Sequence, residues 1–190
     1  MLLLLWKQGA DIKCHTEKQI ALLLFFALIT VSGAWFTEGA TMATLTITSP
    51  AFKNGEFIPA KFTCDGPDVN PALAIGNVPA EAKSLALIMD DPDAPGGMWV
   101  HWVVWNIDPR TTEIKENTVP AGAKQGMTDF RKTSYGGPCP PPGTHRYFFK
   151  LYALDTALDL GPKTNKTALE KAMQGHIVAQ GELLGRYKRK

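Results

Sequence analysis

Two short stretches hold most of the side chains able to do chemistry in this chain. The first is Met89-Asp90-Asp91-Pro92-Asp93-Ala94-Pro95-Gly96-Gly97-Met98-Trp99-Val100-His101-Trp102-Val103-Val104-Trp105-Asn106. It places Asp91 and Asp93 in an acidic proline turn and His101 inside an apolar run. The second runs from Tyr135 to Tyr147, a Gly-Pro-Cys-Pro-Pro-Pro-Gly loop followed by Thr144, His145, Arg146 and Tyr147. Proline fixes φ and removes amide donors, so this loop is stiff, and an X-Pro bond in it is a candidate for the cis form. His145 and Tyr147, two residues apart at the mouth of a strand, share a face while Arg146 points away. Two imidazoles and a phenol supply N–H and O–H donors, to which glycine-rich backbone adds amides. Such a set suits an anion. A carboxylate would repel phosphate directly, so Asp91 is expected to orient a ring, fixing its tautomer and favouring its protonated form, with His101 as the partner. The same atoms admit another chemistry: Asp91, His101 and His145 could form a two-histidine, one-carboxylate site for a non-haem iron or zinc hydrolase or oxygenase.

Each of these residues also has a plainer role open to it. His101 alone could be a satisfied core histidine, and Tyr147 a core side chain with its hydroxyl at the edge. Asp93 is expected to serve the turn, since Asp beside Pro is ordinary turn chemistry. Trp99, Trp102 and Trp105 read as core. His176, just after a helix stop, reads as a C-terminal cap interaction. The chain carries no Gly-x-Ser-x-Gly elbow and no Gly-x-x-x-x-Gly-Lys loop. A binding site without catalysis or cofactor is therefore the expected reading.

The elements that must position these groups are mostly strands. In a strand alternate side chains share a face, which puts Trp99, His101, Val103 and Trp105 on one side and Val100, Trp102 and Val104 on the other. Both sets are largely apolar, as in a strand buried on both faces. Ser84–Met89 reads as a buried strand, and Arg146–Leu154 is the strongest strand signal in the chain. Leu45–Thr48, Glu56–Phe62 (an edge strand because of Pro59) and Glu113–Val119 are further strands. Pro120–Tyr135 is a long polar connection, of the length that suggests a functional loop. One helix is expected near Thr167-Ala168-Leu169-Glu170, a capping box, with Gly175 as its stop. Ile177–Tyr187 fits either strand or helix. Many strands and little helix predict a mainly β chain: an antiparallel β-sandwich with Greek-key connections and one or two short peripheral helices.

Lys and Arg number 20 against 18 Asp and Glu, a formal net charge of +2, so nothing marks a nucleic-acid footprint. The first forty residues differ from the rest. Lys13 and Lys18 precede an apolar run from Ile20 to Val31, followed by small residues at Ser32-Gly33-Ala34 and Gly39-Ala40. This is the pattern of a secretory signal peptide, and it places the mature domain at 42–190, exported to a periplasmic or extracellular location. An uncleaved anchor, or a start at Met42 giving a cytoplasmic protein, are the alternatives. Cys14 falls within the leader. Cys64 and Cys139 remain, and either a disulfide or two independent thiols fits their spacing.

Taken together, Asp91-Pro92-Asp93-Ala94-Pro95 leading into His101, and Gly137-Pro138-Cys139-Pro140-Pro141-Pro142-Gly143-Thr144-His145-Arg146-Tyr147, resemble the two signatures of the phosphatidylethanolamine-binding protein family, which includes the Raf kinase inhibitor proteins. Cys64-Asp65-Gly66 and Ala179-Gln180-Gly181-Glu182-Leu183 are similar to its bacterial and archaeal branch, and the match covers about Thr44 to Lys188. The resemblance implies a β-sandwich with a small pocket for phosphate or a phosphorylated head group. It implies Asp91, Pro95, His101, His145 and Tyr147 as pocket residues, with the Cys139-Pro140-Pro141 backbone as one wall. It further suggests a protein partner, a protease or kinase, inhibited through the loop from Ala121 to Ser134.

Overall fold

The computed structural model describes residues 43–189. The leader read over 1–41, with Cys14, and the alternative start at Met42 lie outside the described residues. Among the described residues no helix is long and apolar enough to cross a membrane.

Nine strands, one α-helix and a 3-10 turn follow in order. They are β1 (Ala43–Thr44), β2 (Thr46–Thr48), the 3-10 turn Ala60–Phe62, β3 (Leu73–Gly76), β4 (Ser84–Asp91), β5 (Trp99–Ile107), β6 (Glu113–Ile114), β7 (Lys124–Gln125), β8 (His145–Leu154), α1 (Lys166–Met173) and β9 (Ile177–Tyr187). They form a six-stranded sheet in the order β1-β9-β8-β4-β5-β7 and a three-stranded sheet in the order β2-β3-β6. Every pairing is antiparallel except that of β1 with β9, which is parallel. After the β4–β5 hairpin the chain visits the small sheet and the far edge, then returns as β8 on the other side of β4.

The main core lies between the two sheets. Ile47, Leu73, Ile75 and Ile114 of the small sheet meet Leu87, Met89, Trp102, Phe149 and Leu151 of the large one. The opposite face of the large sheet is also covered. There Ala86, Ile88, Val103 and Trp105 pack under Leu158 and under Leu169 and Met173 of α1. A strand sandwiched on both faces must be apolar on both, which is why β4 is buried along its whole length.

Several expectations shift in detail. Glu56–Phe62 gives one isolated bridge, Phe57 to Arg186, and then the 3-10 turn; Pro59 has no N–H to extend a ladder. The strand expected over Glu113–Val119 is only two residues long. Ile177–Tyr187 is strand throughout. The helix begins two residues before the expected capping box: Asn165 is the N-cap, its side-chain oxygen accepting from the Ala168 amide at 3.0 Å. Asn caps as well as Thr, and Glu170 lies 3.6 Å from Lys166 one turn back. His176 does not cap through its ring, which pairs with Asp155 at 2.8 Å. No peptide bond among the described residues is cis.

Candidate functional site

The site forms where β4 ends and β5 and β8 begin. Asp91 at the end of β4 sits directly opposite Trp99 at the start of β5. On the other flank β8 runs antiparallel to β4, with Phe148 opposite Asp90. Tyr147 and His145 therefore lie beyond the last ladder pair, beside Asp91. The turn joining β4 to β5 is braced from within. Asp91 Oδ1 accepts the Asp93 amide at 2.7 Å, and Gly97, at φ +98, donates to the Ala94 carbonyl at 2.9 Å. Asp93 in turn accepts the Arg146 amide and guanidinium at 2.8–2.9 Å. Asp93 thus does more than serve its own turn: it clasps the turn to β8. The Arg146 hydrogen bonds hold its carboxyl below the usual carboxylate range.

A β-bulge aims His101. Met89 pairs with Trp102 but the next residue, Asp90, pairs with Val100, leaving His101 without an opposite partner. Bulges re-aim side chains in this way and are common beside active sites. The bulge breaks the simple alternation expected for β5. Val100 joins Val103 and Trp105 in the helix-side cluster, while Trp102 and Val104 face the main core. Trp99 is 39% exposed rather than core, and with His101 it turns toward a cavity.

That cavity, about 270 Å³, is lined by Asp91, Pro95, His101, Cys139, Pro140, Pro141, His145 and Tyr147. Every residue expected at the site is brought there. Ala94, Trp99 and Phe130 complete the lining, and sequence reasoning named none of them as a site residue. Phe130 comes from the long Pro120–Tyr135 connection, whose length suggests a functional loop but singles out no residue. Its ring stands edge-on to His101 and to Trp99, at centroid distances of 5.2 and 5.5 Å. His101 is likewise edge-on to Tyr147, at 5.1 Å.

The carboxylate's partner differs from expectation. Asp91 Oδ2 lies 2.8 Å from His145 Nδ1, both groups being buried. His101 instead points Nδ1 at the Gly136 carbonyl, 2.6 Å away, and the Gly136 amide returns a bond to the His101 carbonyl at 3.0 Å. A carbonyl only accepts, so His101 carries its proton on Nδ1 and its neutral ring presents a bare Nε2. Burial holds the His101 imidazole below its ordinary pKa, against the opposing pull of Gly136 and Asp91. Burial also pushes the Tyr147 phenol upward, with the Asp91 charge adding to it, so Tyr147 is an O–H donor at any ordinary pH. Among the described residues, His101 Nε2 and the Tyr147 hydroxyl are buried and make no hydrogen bond of ordinary geometry, although the Asp91 carboxylate lies near enough to the phenol to help hold its proton.

The proline wall is fastened from behind. Tyr135 Oη donates to the Phe62 carbonyl at 2.8 Å, the Gly137 amide to Asp68 Oδ1 at 2.6 Å, and the Cys64 amide to the Pro138 carbonyl at 3.1 Å. At Gly137 a β-carbon would stand 2.4 Å from the Phe62 carbonyl oxygen, so only glycine permits this approach. Cys64 and Cys139 form a disulfide, which settles the alternative that sequence left open.

No lysine or arginine lines the cavity. Asp91 has both oxygens engaged, one by Asp93 and one by His145. Among the described residues, no three His, Cys, Asp or Glu side chains stand together as metal ligands would.

With this geometry in hand, comparison with known proteins is direct. The family model described as phosphatidylethanolamine-binding protein matches residues 48–188. A UPF0098 protein of Methanothermobacter thermautotrophicus is 50% identical over 144 residues, covering 73% of this chain and 95% of the relative. Another from Aquifex aeolicus is 48% identical over 154 residues, covering 77% and 90%. A solved structure from Chlamydia trachomatis, described as a homologue of phosphatidylethanolamine-binding protein, superposes with a TM-score of 0.75 at 40% identity, covering 78% of this chain and 99% of its own. Escherichia coli YbcL, described as a member of the mammalian family, gives 0.73 at 32% identity, covering 78% and 100%. Two signature stretches, the fold and these relatives agree: the chain belongs to the phosphatidylethanolamine-binding protein family, in its bacterial and archaeal branch.

Proposed function

We propose that the chain is a non-catalytic binding protein whose cavity takes one phosphate group, free or as the head group of a phosphorylated small molecule or lipid. One observation carries this reading. His101 Nε2 and the Tyr147 hydroxyl belong to side chains lining the cavity, yet among the described residues both atoms are buried without a hydrogen bond of ordinary geometry. A buried polar group left unsatisfied costs about 1–3 kcal/mol. Ligand oxygens in the cavity would remove that cost at both positions. Tyr147 donates as it stands; His101, with Nδ1–H already engaged by Gly136, must first take up a proton at Nε2. The Asp91–His145 pair fixes the second imidazole, and the apolar mouth of Pro95, Trp99, Phe130 and Pro141 would hold whatever substituent the phosphate carries. A metal-dependent reading has less support, because the carboxylate is already held by two protein donors. Export of the domain is part of the same proposal, since a disulfide persists in an oxidising compartment.

The test is calorimetric titration of the purified protein with inorganic phosphate and with phosphoethanolamine, at mildly acidic and mildly basic pH. The ring signals of His101 and His145 are followed in parallel, and bound metal is assayed on the same sample. Saturable one-to-one binding that perturbs both rings is expected. No binding at either pH, with a stoichiometric bound metal, would overturn the proposal in favour of a metal centre.

A further inference from the structure

We propose that the Cys64–Cys139 disulfide is a redox latch on the cavity wall, so that the oxidised protein captures the anion and the reduced protein does so poorly. This rests on the phosphate-binding reading and adds a regulation to that site. The two cysteines are separated by 75 positions, and both are exposed. Cys139 itself lines the cavity, followed by Pro140 and Pro141.

The position of the bond along the wall is what matters. Upstream of Cys139 the wall is held by the hydrogen bonds of Tyr135, Gly136, Gly137 and Pro138. Downstream, regular secondary structure resumes only at His145, the first residue of β8. Between them, among the described residues, no hydrogen bond ties Pro140–Thr144 to the rest of the domain. Three consecutive prolines have no N–H to offer, and Gly143 at φ +125 is a point of backbone freedom. Beside the packing of the buried Pro140, the disulfide is therefore the one cross-link on the stretch that carries Pro140 and Pro141 into the cavity and leads into His145. Reduction would leave Cys139–Thr144 suspended between Pro138 and β8, while the hydrogen bonds behind Gly136–Pro138 and both cores stay in place.

Exposure makes the bond open to exchange. A dithiol reductant supplies the two electrons: its thiolate attacks one exposed sulfur, giving a mixed disulfide, and its second thiol resolves that bond. The protein ends with two thiols, having gained two electrons and two protons, and the reductant ends as its own disulfide. In the reverse direction, exchange with a disulfide oxidant takes the two electrons and two protons back, leaving that oxidant as a dithiol and arming the cavity.

The experiment compares the oxidised protein, the same protein after treatment with a dithiol, and the Cys64→Ser/Cys139→Ser double variant. Each is titrated with inorganic phosphate while NMR order parameters of the backbone are read for residues 136–145. A wall in place about one-tenth of the time lowers apparent affinity about tenfold, so a loss of that order is expected in both cysteine-free states. Lower order parameters are expected at positions 139, 143 and 144, but not in the core strands. Unchanged phosphate affinity with the fold intact would overturn the latch. So would global unfolding on reduction, because the bond would then be a staple of the whole fold. Should the oxidised protein fail to bind phosphate, the binding proposal falls. The latch is then judged on the order parameters alone, and equal values at positions 139, 143 and 144 in oxidised and reduced protein overturn it.

Discussion

Asp91 and His145, 54 positions apart in sequence, meet through a 2.8 Å contact between Oδ2 and Nδ1 in a site where both are buried. The contact decides which face of the His145 ring turns to the cavity. The other oxygen of Asp91 holds the Asp93 amide, so one carboxylate sets both the turn and the ring. Charge-assisted hydrogen bonds contribute about 1.5–3 kcal/mol, and removing one partner of a buried pair costs more because the other is stranded. Asp91→Ala is therefore expected to weaken phosphate binding about 10- to 100-fold. His145→Ala, which strands the buried carboxylate, should also lower the denaturant midpoint. Calorimetry and urea unfolding on the two variants check this; wild-type affinity in Asp91→Ala would show that the pair does not orient the site.

His101 gives the site a direction of pH response. Burial depresses its pKa, so between the unfolded value, about 6.5, and the lower folded value the unfolded chain binds more protons than the folded one. Stability is therefore complete above about pH 6.5 and declines as pH falls toward the folded pKa. An anion that needs Nε2–H reverses the preference, because it stabilises the protonated ring. Sulfate, which does not titrate in this range, should bind more tightly as pH falls from about 8 to about 5, with uptake of a proton. Calorimetry in buffers of different ionisation enthalpy reads that proton. His101→Asn should remove both the uptake and the acid-side loss of stability; sulfate affinity that is flat with pH in the wild type would contradict the proton-coupled role.

What sequence could and could not reveal here has physical causes. β4 was legible because a strand covered on both faces demands an uninterrupted apolar run, and β8 because its aromatic and aliphatic residues alternate with Arg146 and Lys150 in a strong strand signal. The cavity residues were legible because they cluster in two short stretches. The partner of Asp91 was not, since His101 is near in sequence and His145 is near only through the β4–β8 register. Nor was the bulge at His101: one unpaired residue leaves no mark in composition, yet it moves Val100 to the other face and Trp99 to the cavity. Phe130 reaches the site from an irregular loop with no periodicity to read. The Asn165 cap was hidden by a competing Thr167 pattern two residues on, where propensity alone does not choose.

Gly137 tests how tightly the wall must approach the body of the domain. A β-carbon there would meet the Phe62 carbonyl oxygen at 2.4 Å and the Thr63 α-carbon at 2.8 Å, both backbone atoms, which cannot swing aside as a side-chain tip could. Overpacking of this kind costs about 1–3 kcal/mol, and displacing the segment also endangers the Gly137–Asp68 bond and the Gly136–His101 pair. Gly137→Ala should lower stability by that amount and weaken phosphate binding through His101. Gly96→Ala is the control, since a β-carbon there meets nothing within 4 Å. Equal stability of the two variants would mean that the wall yields without cost.

Tyr147 separates binding from stability. Its ring is fully buried and edge-on to His101, while among the described residues its hydroxyl makes no hydrogen bond of ordinary geometry. In the empty protein that hydroxyl is a buried, unsatisfied group and destabilises the fold; in a complex it is a donor to the anion. Tyr147→Phe keeps the packing and removes only the oxygen. The variant should be as stable as the parent or more so, by up to about 1 kcal/mol, and should bind phosphate about 10- to 100-fold more weakly, the value of one hydrogen bond to a charged group. Opposite signs in the two measurements are the mark of a group kept for its ligand rather than for the fold. A variant that loses stability without losing affinity would assign the hydroxyl a structural role instead, through a partner such as a buried water.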